Sequence, residues 1–110
     1  METRRREARY YVAANGKAPC EEWLENLKDR QGRTIIKARL RRMEMGNPGS
    51  HRFIGQGITE LKIDFGPGYR VYFGEDGETL VILLCGGDKS TQESDIFKAR
   101  EYWKDYRERR

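Results

Sequence analysis

Residues 60–73 read ELKIDFGPGYRVYF, and their spacing decides the fold. Leu61, Ile63 and Phe65 alternate with Glu60, Lys62 and Asp64, the two-residue period of a strand with one apolar and one wet face. Gly66-Pro67-Gly68 makes a tight connection. Tyr69, Val71 and Phe73 then resume the apolar parity, while Arg70 and Tyr72 join the polar side. An antiparallel pair of strands thus sets Lys62 and Arg70 on one surface.

Working outward, Gly74-Glu75-Asp76-Gly77 contains the Asp-Gly pair favoured in hairpin turns, and Leu80 to Leu84 is continuously apolar, as in a central strand covered on both faces. Past Gly86-Gly87-Asp88-Lys89, read as a glycine-rich loop, Thr91 precedes a helical pattern of Ile96, Ala99 and Trp103. Arg107, Arg109 and Arg110 sit near the negative end of that last helix. Towards the start, Arg6 to Ala13 mixes Tyr and Val with charges and reads as a strand closed at Asn15-Gly16. Pro19 opens a short helix to Asp29, with Trp23, Leu24 and Leu27 at helical spacing. Gly32 is read as a break. Thr34 to Met45 then forms a basic amphipathic helix with Ile35, Ile36, Leu40 and Met43 on one stripe. Residues 46–50, GNPGS, end it, and His51 is expected in an exposed loop. The order is strand, two helices, three antiparallel strands and a helix. It predicts an α+β fold: a twisted, mainly antiparallel sheet with an N-terminal helical hairpin and a C-terminal helix.

Composition limits what such a chain can do. At 110 residues, one domain over 1–110 is expected. Apolar residues make up 36% and charged residues another 36%, so the core is thin and most charges are solvated. Lys plus Arg exceed Asp plus Glu by 22 to 18, a net charge of +4 that favours phosphate-rich partners, although ordinary basic surfaces carry it too. Cys20, Cys85 and the single His51 make no ligand spacing, so no metal or cofactor is expected and both thiols are read as reduced. With no long apolar run and no signal-peptide core in METRRREARYYV, the expected compartment is the cytoplasm.

The stretches ITELKIDFGPGYRVYF (58–73) and LVILLCGGDKSTQESDIFKAREYW (80–103) resemble the addiction-module killer, or HigB-like, branch of the RelE/ParE toxin superfamily. PCEEWLENL (19–27) adds a compatible order of elements. The resemblance implies a RelE-like fold and a type II toxin with a cognate antitoxin that covers it. In the best understood branch it also implies cleavage of messenger RNA on the ribosome, which blocks translation and growth.

RNA is cut without a metal when its own 2′-hydroxyl attacks the adjacent phosphate, given a proton acceptor, a cation and a proton donor. Arg70 is the candidate cation, because a guanidinium binds phosphate through two parallel hydrogen bonds; the plain alternative is a surface salt bridge to Asp64 or Glu60. Lys62 matches the basic strand residues of RelE-like toxins and is assigned to phosphate, with base action as the alternative. Lys89, in GGDKSTQ, falls where the family places a basic residue, and the glycines before it would let backbone approach a phosphate, or merely make a turn. Gln92 and Asp95 are candidates to orient a nucleotide or relay a proton, or else to cap the last helix. Asp95 stands near the place of a family tyrosine, which leaves the proton donor unassigned. Tyr72 is a candidate to stack on a base, against ordinary cross-strand packing. Arg39 and Arg42, in the basic run from Arg33, are candidates for tracking RNA, against a solvated helix face.

Two other functions stay open: a ParE-like inhibitor of DNA gyrase, since one fold serves both, and a toxin remnant that only binds its antitoxin.

Overall fold

The computed structural model describes residues 5–109. Arg110 and the first four residues of the basic start lie outside the described residues. In chain order the elements are β1 (Glu7–Tyr10), α1 (Pro19–Glu25), α2 (Arg30–Glu44), β2 (His51–Gly55), β3 (Ile58–Ile63), β4 (Tyr69–Asp76) and β5 (Leu80–Asp88). A 3-10 turn, Lys89–Thr91, then leads into α3 (Gln92–Arg109). The five strands form one sheet in the order β1-β5-β4-β3-β2, with β1 parallel to β5 and the other pairs antiparallel. The α+β class, the N-terminal helices, the mainly antiparallel sheet and the C-terminal helix are those expected.

Strand parity divides the apolar residues between two cores. On one face Leu61, Ile63, Val71, Phe73, Val81 and Leu83 pack with Leu24 of α1 and Ile36, Leu40 and Met43 of α2. On the other, Ile58, Tyr72, Ile82 and Leu84 pack with Ala99 and Trp103 of α3. β5 therefore feeds both cores, which is why its sequence lacks polar alternation.

Several local readings change. β2 was taken as loop; it is a five-residue edge strand, mostly exposed, whose residues show no alternation to detect. His51 is exposed, as expected, but within that strand. Gly32 does not break a helix: α2 begins at Arg30, and the Asp29 side chain accepts from the Gly32 amide at 2.9 Å, a regular N-cap. A Cβ on Gly32 would lie 2.5 Å from Asp29 Oδ2 and 2.7 Å from the Tyr69 ring, so the glycine serves close packing. Finally, the face of β3 and β4 carrying Glu60 and Tyr72 is not wet, because α3 lies across it and both side chains have no solvent exposure.

α3 approaches the sheet where β4 has no side chain. A Cβ on Gly74 would sit 2.4 Å from the Trp103 ring, and the indole Nε1 donates to the Gln56 carbonyl at 2.9 Å. No helix among the described residues is long and apolar enough to cross a membrane. Gly74→Ala is expected to displace Trp103 and destabilise the chain by about 1–3 kcal/mol, the usual effect of overpacking. Urea unfolding followed by tryptophan fluorescence measures it.

Candidate functional site

The antiparallel register places Lys62 opposite Arg70 and Arg70 opposite Gly87, in the sheet row next to the one holding Glu60, Tyr72 and Cys85. The Gln92 side chain of α3 reaches Glu60 in that second row. The Lys62–Arg70 row borders a cleft of about 300 Å³, lined by Lys62, Arg70, Lys89, Asp64, Ser50 and the turn at Gly68. Lys62 and Lys89 are exposed, whereas Arg70 is 9% exposed. Three cations from separate stretches of chain thus meet at one depression, with Asp64 as its lining carboxylate.

Arg70 owes its place to its neighbours. Its Nη1 donates to the Gly68 carbonyl at 3.0 Å, and its Nε lies 3.7 Å from Glu60 Oε2. The salt bridge weighed as the alternative role of Arg70 therefore exists, but it is buried rather than on the surface. Glu60 also accepts from Arg52 Nε at 2.7 Å, from the Tyr72 hydroxyl at 2.9 Å and from Gln92 Nε2 at 2.9 Å. Burial alone would raise the Glu60 carboxyl, but the hydrogen bonds from Arg52, Gln92 and Tyr72 overcome it and hold the group below its ordinary range. Burial and the bond to Glu60 push the Tyr72 phenol far up.

Lys89 opens the 3-10 turn, and Asp88 builds that turn: its carboxylate accepts from the Ser90 amide at 2.8 Å. Gly86 and Gly87 belong to β5 rather than to a loop. Their role is clearance, since a Cβ would lie 2.3 Å from the Trp23 ring at Gly86 and 1.9 Å from Asp95 Oδ2 at Gly87. Close packing accounts for both glycines.

Several candidates stand apart from the cleft. Tyr72 is fully buried, so its ring offers no face to a base and packing is its role. Gln92 gives its amide to Glu60. Asp95, 7% exposed, accepts the Thr91 hydroxyl at 2.5 Å and lines a neighbouring hollow of about 350 Å³ with Trp23 and Lys98. Burial raises its carboxyl, against the Thr91 bond and Lys98. Arg39 donates to the carbonyls of Lys62 at 2.8 Å, Pro48 at 2.8 Å and Ser50 at 3.1 Å, so its guanidinium ties α2 to the start of β2 and to β3. Arg42 is exposed on α2 and does not line the cleft.

Sequence reasoning gave Glu60 no function beyond a surface ion pair. One signal pointed further: the apolar stripe of α3 needed a sheet face to cover, and the parity carrying Glu60 and Tyr72 was the face left open.

Residues 22–104 match the family described as Phage derived protein Gp49-like (DUF891). This chain belongs to the Gp49-like family. The matched span runs from α1 into α3 and holds every cleft residue together with Glu60. A Haemophilus influenzae relative, described as an uncharacterized protein, is 49% identical over 80 residues, which cover 73% of this chain and 81% of the relative. The Gp49-like family has the RelE/HigB-like toxin fold, so the resemblance seen in the sequence holds for the fold.

Glu60 supplies a pH signature. A carboxyl held low in the folded state stabilises the fold above its unfolded value of about 4.3, and that contribution is lost as pH falls through the lower folded value. In the Gp49-like chain, Tyr72→Phe should destabilise by about 1.5–3 kcal/mol at neutral pH, the range for a hydrogen bond to a charged group. The gap from the unmodified chain should narrow as pH falls from the unfolded carboxyl value of about 4.3 through the lower folded value of Glu60; urea unfolding across pH checks both.

Proposed function

We propose that this Gp49-like chain is the toxin of a type II toxin–antitoxin pair, acting in the cytoplasm as a metal-independent endoribonuclease on ribosome-bound messenger RNA. The single observation that carries this reading is the convergence of Lys62, Arg70 and Lys89 on one cleft. A phosphodiester brings one negative charge to the site, and more develops on its oxygens as the ribose 2′-oxygen attacks. That attack forms the 2′-oxygen–phosphorus bond and breaks the bond from phosphorus to the 5′-oxygen. The products are a 2′,3′-cyclic phosphate and a 5′-hydroxyl. Preformed cations at the phosphate favour this step without a metal. Arg70 is the best fitted, being enclosed and restrained before substrate arrives, so little reorganisation accompanies the chemistry. Lys62 and Lys89, both exposed, attract and seat the RNA backbone.

The pair would be completed by a cognate antitoxin whose charged segment masks the cleft. A ParE-like action on gyrase shares the fold, but a compact three-cation cleft suits one phosphate group better than a broad protein surface.

Expression in a translation extract, followed by mapping of RNA ends, tests the proposal. The unmodified chain should cut translated message, and Arg70→Ala should slow cutting by about 10²-fold or more. Equal cutting by the variant removes Arg70 from the mechanism. Intact message together with inhibited DNA supercoiling would transfer the assignment to gyrase.

A further inference from the structure

The cleft's buried cation is held by a group outside the cleft. Glu60 has no solvent exposure and does not line the depression, yet its Oε2 lies 3.7 Å behind Arg70 Nε. Partners from β2, β4 and α3 fix it: Arg52 on Oε1, and Tyr72 and Gln92 on Oε2. Arg70 is less fully bound. Its Nε is enclosed and donates to nothing, and the hydrogen bond from Nη1 goes to the Gly68 carbonyl.

A buried ion pair is not in general required for stability, because well-packed apolar residues commonly replace both partners without loss. A carboxylate that receives three hydrogen bonds and still leaves an arginine at ion-pair distance suits another task. Its charge draws the guanidinium back against the sheet, while Arg70 still lines the cleft in which a phosphate would sit.

We propose that Glu60 is a positioning residue: it holds the Arg70 guanidinium in its phosphate-binding pose without touching the RNA. This inference rests on the nuclease reading and deepens it. It has an uncommon consequence. Removing the negative charge loosens Arg70 but leaves the cleft more positive, so turnover falls while substrate binding does not weaken. A purely structural Glu60 would instead reduce the folded fraction and act independently of Arg70.

The test compares the unmodified chain, Glu60→Gln, Arg70→Ala and the double variant. Message cleavage on translating ribosomes gives kcat and KM. The Nε–H resonance of Arg70, recognised by its loss in Arg70→Ala, is followed by NMR during titration with inorganic phosphate. Glu60→Gln should lower kcat by about ten-fold with KM unchanged or reduced, the pattern of an interaction used in the transition state. It should also move or broaden the Arg70 Nε–H signal, and the double variant should be no slower than Arg70→Ala alone. Effects that multiply, or an unmoved Arg70 signal, overturn the proposal. If Glu60→Gln does not fold, Arg52→Ala, which truncates the half-exposed partner, should show the same kcat-only loss in smaller degree, and an unchanged kcat overturns it. An unmodified chain that cuts no message refutes the nuclease reading; the phosphate titration then decides by itself whether Glu60 sets the Arg70 guanidinium.

Discussion

A carboxylate removed from water must be met by donors, and at Glu60 that requirement organises one half of the molecule. β2 supplies Arg52, β4 supplies Tyr72 and Arg70, and α3 supplies Gln92. The short edge strand, the central hairpin and the last helix are thereby referred to a single point. The low dielectric there strengthens each bond and makes any missing one costly, so the geometry tolerates little drift. The cleft begins one row along the same sheet, where Lys62 faces Arg70.

Close approach is the second constraint. α1 and α3 come near the strands at residues without a side chain: Trp103 over Gly74, Trp23 over Gly86, and Asp95 over Gly87. Aromatic rings then lie almost on the backbone, bringing α1 and α3 to opposite faces of β5 near its end. The turn that carries Lys89 begins where those contacts stop, and the Asp88 cap fixes its direction. Lys89 can therefore belong to the same depression as residues of β3 and β4.

The arginines divide by environment rather than by number. Arg39 spends its guanidinium on three carbonyls and acts as a strut. Arg52 is half exposed and paired to Glu60. Arg42 is solvated. Only Arg70, among these four, is both enclosed and turned to the cleft, so a net positive charge is a poor guide to where phosphate is handled.

Strand parity in 60–73, the apolar run at 80–84 and the stripe of α2 are local periodicities, and they suffice for the α+β class and the adjacency of Lys62 and Arg70. The sequence also carried enough of the family's pattern to indicate the RelE-like fold. Local pattern does not reveal which polar face another element will cover. Glu60 and Tyr72 sat on the strand face read as wet, and α3 packed across that face and buried both; Asp95, on α3 itself, was buried against the same sheet. Gly32, Gly86 and Gly87 read as a break and a loop because sequence does not show the ring or carboxylate that will lie against them. β2 gave no alternation, since an edge strand with little burial needs none. Tertiary structure alone decided which charges lost their water, because desolvation depends on every element packed around a group and not on its neighbours along the chain.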